Sequence, residues 1–366
     1  MPFPQEFLAQ LATPCLIVDR AAADRNIARA ADYFAKRRAK LRPHFKAHKC
    51  TALLRRQIDA GSCVGVTCAT AYEAELLAQK GFKEILVANE VIDRPGLAAL
   101  ARAARHTRIT VAVDAPVHAQ ALERTAAAAG IRFGILIEVD VGMGRCGVVV
   151  GSKALLDLAA EIRNLPHLEF LGLQGYEGHV VFREDRALRW TSAWQAAETL
   201  RAERGRLEAA GFACPIVSGG GTGTFDVSSE AGVLNEMQAG SYALMDSRYG
   251  ALGLPFENAL FCAATVISRR SSDAGVLNSG LKAMSAEYGM PKSVTPGIQI
   301  ISLSDEHARF LAKPEANVSI GDTVLLIPAH IDPTINLHDA LVIWTGGGGI
   351  EQWPVDGRRQ ASTLLA

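Results

Sequence analysis

Between Leu41 and Gly240 the chain alternates short β-rich apolar runs with longer stretches whose apolar residues recur at helical spacing. The runs are Leu41 to Lys46, Cys63 to Cys68, Ile85 to Asn89, Ile109 to Asp114, Ile135 to Asp140, Phe170 to Tyr176, Ile216 to Gly219 and Met237 to Gly240. A strand covered on both faces reads as a continuous apolar run. About eight such runs separated by amphipathic helices predict an α/β fold, a (β/α)8 TIM barrel of parallel strands. In the stretch from Ala21 to Lys36, Ile27, Ala30, Ala31 and Phe34 fall at i, i+3, i+4 and i+7, which predicts a helix with Asp19 as a cap ahead of it. A second long helix is predicted from Asp185 to Ala210, stopped by Gly211.

Beyond Ala259 the helical period fades, and β-rich segments follow one another, punctuated by Gly and Pro: Ala263 to Arg269, Ile298 to Leu303, Val324 to Pro328 and Leu341 to Trp344. They predict a second, mostly β domain. The early run Thr13 to Asp19 would be a ninth strand in a barrel of eight, so it is assigned to the β domain. The expected organisation is a barrel over 20–250 and a β-rich domain made of 1–19 plus 251–366, which suits a chain of 366 residues.

Charge and cysteine usage narrow the function by exclusion. Lys+Arg and Asp+Glu both number 38, and a net charge of zero gives no support to a nucleic-acid or membrane-surface partner, which leaves a small molecule. The seven cysteines contain no C-x-x-C pair, which argues against a disulfide framework and a cysteine zinc knuckle and fits a reducing cytoplasm. The N-terminal stretch Met1 to Thr13 lacks a basic start followed by an apolar h-region, and no apolar run reaches 18 residues, so a soluble, unprocessed, cytoplasmic protein is expected.

Catalytic groups of such barrels sit at the carboxyl ends of the strands. Those ends carry Lys46, Thr67, Asn89, Asp114, Asp140 with Arg145, Tyr176 with His179, the run Ser218-Gly219-Gly220-Gly221-Thr222-Gly223, and Gly240-Ser241-Tyr242. The segment Arg42 to Lys49 packs two imidazoles and two amines into eight positions. A lysine held at the end of an apolar strand loses solvation, which makes its neutral amine accessible for Schiff-base chemistry with a carbonyl cofactor; a solvated basic turn is the alternative. The glycine run follows the seventh strand, where barrels bind phosphate through backbone N–H groups, and Gly240-Ser241-Tyr242 offers a second side of such a cradle. A dinucleotide fold would need G-x-G-x-x-G after an early strand, and the run fails that pattern. His330 and Asp332 lie two apart; on an extended piece both project from one face, which suits a divalent metal with open positions, the alternative being a hydrogen-bonded turn.

Together these motifs resemble the D-threonine aldolase family of pyridoxal-phosphate (PLP) enzymes, built on the alanine-racemase type of barrel plus β domain, and the resemblance covers nearly the whole chain. Arg42-Pro43-His44-Phe45-Lys46-Ala47-His48-Lys49 is similar to the cofactor-lysine motif, which implies that Lys46 carries PLP. Glu138 to Gly147 resembles the segment whose arginine approaches the cofactor's phenolic oxygen, here Arg145, and Tyr176 takes the place of the tyrosine near the pyridine ring. The resemblance assigns the phosphate to Ser218, Gly220, Gly221, Thr222 and Gly223 with Gly240, Ser241 and Tyr242, and the metal to His330 and Asp332. Related dehydratases tend to place a cysteine where this chain has Asp332, so the carboxylate favours the aldolase branch. One departure falls after the sixth strand: many of these aldolases carry a histidine six positions beyond the tyrosine, where this chain has Phe182, while His179 appears earlier. His179 is the candidate base, with a metal-bound hydroxide as the alternative.

The implied reaction is a PLP- and divalent-metal-dependent cleavage of D-3-hydroxy-amino acids to glycine and an aldehyde, with PLP as electron sink. Manganese or magnesium heads the list of metals, and cobalt or zinc also suits a mixed N/O site. The resemblance further implies a homodimer. Two alternatives keep the cofactor: a dehydratase acting on substrates of the D-serine or 3-hydroxyaspartate type, and a PLP-binding protein without turnover, against which the β-rich region and its His-x-Asp pair count.

Overall fold

The computed structural model describes residues 2–358, which divide into two units: 30–46 with 54–240, and 2–29 with 47–53 and 241–358. The first unit holds eight parallel strands: Lys40–Leu41, Val66–Cys68, Ile85–Val87, Ile109–Val113, Phe133–Glu138, Leu168–Gly175, Ile216–Gly219 and Glu236–Met237. Each pairs with the next in sequence from the second to the eighth, and the first pairs with the eighth. Isolated parallel bridges Leu41↔Cys63 and His44↔Thr67 tie the first strand to the second, so the sheet closes on itself. All positions of Ile109–Val113 and Phe133–Glu138 are buried, as expected of strands covered on both faces.

Between strands run the helices Ala71–Gln79, Arg94–Ala104, Pro116–Ala129, Ala154–Arg163 and Arg186–Ala209. Several starts are set by side chains that take up orphan N–H groups: Thr70 accepts from Glu73 N, Asp93 from Gly96 N and Asp185 from Leu188 N. Asp19 does the same for the helix Arg20–Ala35, where its Oδ1 accepts from Ala22 N at 3.1 Å.

The first strand is shorter than its apolar run. Regular pairing ends at Leu41, because Pro43 has no N–H to continue the ladder, and only the bridge at His44 follows. Side chains secure this seam instead. Arg42, 4 % exposed, makes a bidentate pair with Glu236 (Nη2 to Oε1 and Nε to Oε2, both 2.7 Å), and its backbone oxygen accepts from Thr67 Oγ1 at 3.0 Å. Lys46 lies four residues beyond this anchor.

The second unit is built on antiparallel sheet in the order Ile298–Leu303, Ala308–Ala312, Ala274–Leu277, Leu260–Ser271, Cys15–Asp19, Ala340–Trp344, Ile350–Pro354. Within it, Cys15–Asp19 and Ala340–Trp344 are a parallel pair. Thr323–Ile327 pairs with the first half of the long strand Leu260–Ser271, whose second half pairs with Ala274–Leu277. The core of this unit gathers Phe3, Phe7, Leu8, Ile17, Phe261 and Leu325 with the Trp344 ring edge-on to Phe3. Each such side chain contributes about 1.5–3 kcal/mol by leaving water. Among the described residues no helix is long and apolar enough to cross a membrane.

Candidate active site

Lys46 does not sit on the strand itself. It occupies a single 3₁₀ turn, Phe45–Ala47, directly after the strand, half-buried above the fully buried Phe45. The turn is tied down by His44 N, which donates to Ala239 O at 3.2 Å. The first, eighth and seventh strands are consecutive neighbours. At an interstrand spacing of about 4.8 Å, the lysine and the glycine run leave the same end of the barrel about 10 Å apart.

The glycine run is required by close backbone approach. A Cβ on Gly219 would lie 2.1 Å from Gly175 O, and one on Gly223 would lie 2.0 Å from Val181 O. Gly220 has φ +74°, a conformation that side chains disfavour. Gly221 differs: its added Cβ would meet the Tyr176 ring at 3.4 Å, so a side chain there would fill space beside that ring. The run passes into the buried 3₁₀ turn Thr222–Thr224 and the helix Phe225–Glu230. Glu177, 3 % exposed, holds this turn by accepting from Thr224 Oγ1 at 2.6 Å and Ser228 Oγ at 2.8 Å. Sequence reasoning passed over Glu177, although a charged residue immediately after a buried strand was a usable signal.

Ser218 lies at the end of a buried polar chain that links three strands and the residue just past the eighth. Its Oγ accepts from Gln238 Nε2 at 2.9 Å, Gln238 also donates to Gln174 Oε1 at 3.1 Å, and Gln174 Nε2 donates to Glu138 Oε2 at 2.8 Å. Burial, with the Glu90 carboxyl close by, pushes the Glu138 carboxyl up to about 7. Sequence reasoning singled out Ser218 for the phosphate but not its links to Gln238, Gln174 and Glu138, because those side chains lie inside the apolar runs.

Arg145 is carried on the loop 139–148, which the bridge Val139↔Val148 closes at its base. Asp140 Oδ1 accepts the N–H groups of Gly142 (3.0 Å) and Gly144 (2.9 Å), and Asp114 Oδ2 accepts that of Gly147 (2.9 Å). The N–H of Gly144, with that of Gly142, holds the Asp140 carboxyl below its usual range. So braced, the loop places the exposed Arg145 guanidinium 5.6 Å from the half-buried Tyr176 ring centroid. His179 is exposed on the turn after the sixth strand, next to Gly142, where an added Cβ would lie 3.2 Å from its ring. A separate trio, Glu90, Asp114 and Cys146, brings ligand atoms within 4.8 Å of one another, and burial with the neighbouring carboxylates pushes the Cys146 thiol up to about 11.

Gly240 ends the barrel unit just after the eighth strand, and Ser241 and Tyr242 open the 3₁₀ turn Ser241–Ala243 of the other unit; all three are buried. That second unit also carries His330 and Asp332, and here the expected extended segment is corrected. His330 caps the short helix Ile331–Ile335, and Asp332 stands in its first turn. The turn forms because Thr334 Oγ1 donates back to His330 O at 2.7 Å and Asp246 Oδ2 accepts from Ile331 N at 3.4 Å. The two side chains still converge, with His330 Nε2 3.6 Å from Asp332 Oδ1. Asp246 is fully buried within electrostatic reach of both, and burial pushes its carboxyl up to about 6.

The residues fit the groups their motifs imply. The space beside Tyr176 that a Cβ at Gly221 would fill, with crowded glycine backbone on either side, suits an anion held by main chain. An imidazole nitrogen and a carboxylate oxygen 3.6 Å apart suit two ligands of one divalent cation.

Comparison with known proteins agrees with the architecture. Residues 18–248 match the family model "Alanine racemase, N-terminal domain", and residues 259–344 match "Putative serine dehydratase domain". A D-threonine aldolase of Arthrobacter sp is 38 % identical over 97 % of this chain and 95 % of its own length. A 3-hydroxy-D-aspartate aldolase of Paracoccus denitrificans (strain Pd 1222) is 36 % identical, covering 96 % of this chain and 93 % of its own. Among solved structures, a D-threonine aldolase from Filomicrobium marinum superposes with a TM-score of 0.92 at 37 % identity, covering 96 % of each chain.

Proposed function

Because the chain belongs to the D-threonine aldolase family, enzymes of the lyase class, we propose that it cleaves D-3-hydroxy-amino acids to glycine and an aldehyde, with PLP and a divalent cation. Full-length likeness to two aldolases that differ in the substrate named supports the general class of D-3-hydroxy-amino acids rather than one member of it. We further propose that it works as a homodimer in the cytoplasm.

Each residue has a role in this reading. Lys46 binds the cofactor covalently through Nζ, from its half-buried place in the turn just past the first strand. The backbone of Gly220, Gly221, Thr222 and Gly223, with Ser218, Gly240, Ser241 and Tyr242, receives the phosphate. Arg145 would serve the cofactor's phenolic oxygen and Tyr176 would pack beside its ring, as the resemblance implies. Bound PLP supplies an electron sink for the charge left on the substrate's Cα. His330 and Asp332 hold the cation, which supplies a Lewis acid for the substrate's 3-hydroxyl. His179, exposed beside the arginine loop, takes the hydroxyl proton, a general-base role open to an imidazole.

Product analysis tests the reading. With D-threonine, PLP and Mn²⁺, the expected products are glycine and acetaldehyde, and chelation of the metal stops the reaction. A 2-oxo acid plus ammonia would instead make the chain a dehydratase. Borohydride treatment followed by peptide mass analysis is expected to fix the cofactor on Lys46 and to fail in Lys46→Ala. Cofactor fixed to another lysine would refute the assignment.

A further inference from the structure

We propose that Glu287 is a positioning residue for His330: it takes the proton-bearing Nδ1 and so leaves Nε2 bare as a ligand. This rests on the reading of His330 and Asp332 as the cation pair. The Glu287 Oε2 atom lies 2.8 Å from His330 Nδ1, a distance for a charge-assisted hydrogen bond. A neutral imidazole carries one proton, and a carboxylate on one nitrogen places it there. The other nitrogen, Nε2, then presents a lone pair on the side of Asp332, whose Oδ1 is 3.6 Å away. That separation exceeds a good hydrogen bond and matches two ligand atoms each about 2.1 Å from a shared cation.

The arrangement is held by more than one contact. The Tyr288 ring packs on the imidazole with centroids 4.6 Å apart and planes at 37°, which fixes the ring's tilt. Ser285 N donates to Thr334 Oγ1 at 3.1 Å, and Glu287 N donates to Ser285 Oγ at 3.2 Å. Thr334 is the residue whose hydroxyl also grips His330 O, so the segment bearing Glu287 and the turn bearing the pair share one buried hydroxyl. Glu287 itself is half exposed, with 52 % of its side chain accessible, and lies 43 residues before its partner. A carboxylate on the far nitrogen of a liganding histidine sets its tautomer and orientation, and its loss costs about 10- to 100-fold in metal affinity.

The test uses Mn²⁺ alone as probe on the PLP-loaded protein, with free Mn²⁺ read by electron paramagnetic resonance. Glu287→Ala is expected to weaken binding by about 10- to 100-fold. Glu287→Gln, whose amide oxygen accepts the same Nδ1–H, is expected to restore affinity to within a few-fold of wild type. The melting temperature without metal and the cofactor's visible absorbance should stay unchanged in both. Wild-type Mn²⁺ affinity in Glu287→Ala, with binding lost in His330→Ala, would overturn the proposal alone. Equal weakening in the Gln and Ala variants would overturn the tautomer argument, and a loss of affinity that tracks a lower metal-free melting temperature would make Glu287 a structural residue. Undiminished binding in His330→Ala would remove the underlying cation pair and the proposal with it.

Discussion

Replacing Arg42 by Met should loosen the barrel at the junction of its first and eighth strands. The first strand contributes two residues of regular pairing to the eighth, and Arg42 and Glu236 secure that junction through two 2.7 Å bonds with both side chains less than one-tenth exposed. Met keeps much of the arginine stem's volume but leaves the Glu236 carboxylate buried without its partner. Breaking a buried pair on one side costs about 3–5 kcal/mol, whereas replacing both partners by apolar groups is close to neutral. Loss of the further bond from Arg42 Nη1 to Glu84 O adds to the single-variant cost. With a urea dependence of about 3 kcal/mol per molar, the unfolding midpoint of Arg42→Met should fall by about 1 to 1.7 M. The double variant Arg42→Met/Glu236→Leu should recover most of that loss. Because Lys46 leaves this strand four residues later, Arg42→Met should also bind PLP more weakly even where it remains folded. A midpoint within 0.3 M of wild type, or a double variant no better than the single one, would show that the ion pair does not hold the seam.

The glycine run offers a paired contrast. Gly223→Ala forces a methyl to 2.0 Å from Val181 O and should cost about 1–3 kcal/mol in the cofactor-free protein, read as a lower midpoint. Gly221→Ala, whose φ of −149° suits any residue and whose Cβ makes a 3.4 Å contact, should leave that midpoint unchanged and weaken PLP binding by at least about tenfold, since 1.4 kcal/mol of lost contact suffices; unchanged PLP affinity would remove the cradle. Burial holds the Glu138 carboxyl at about 7 against 4.5 when unfolded, so the folded state binds the extra proton across that window, and the group's contribution falls as pH rises from 4.5 to 7. Glu138→Gln, which keeps an oxygen for Gln174 Nε2, should therefore match wild type near pH 4.5. It should be more stable by up to about 3 kcal/mol above pH 7.5, at 1.36 kcal/mol per pH unit. Denaturation of both proteins at the two pH values decides it, and a variant that is less stable at high pH would reverse the sign.

Much of this was legible along the chain because it is local. Apolar runs of strand length, helical spacing from Ile27 to Phe34 and the acidic cap Asp19 depend on neighbours a few residues away, and each of the eight strands overlaps one of those runs, the first, fifth, sixth and eighth starting one or two residues earlier. The candidate barrel residues could be read from the strand ends, since parallel strands joined by helices must all point the same way and gather their C-terminal residues at one end. What tertiary structure decided was pairing between distant residues. Nothing near Arg42 selects Glu236, 194 positions on, nor does Glu177 foretell Thr224, nor His330 Glu287. The same is true of the chain from Glu138 to Ser218, whose hydrogen bonds through Gln174 and Gln238 join residues of different apolar runs. His330 and Asp332 show both sides: their spacing announced a pair, while long-range hydrogen bonds to Asp246 and the closing turn of Thr334 made it a helix start rather than a strand. Sequence fixes which groups are available within one turn or one strand; burial, and the low dielectric that makes an unpaired polar group costly, decides which distant groups must meet.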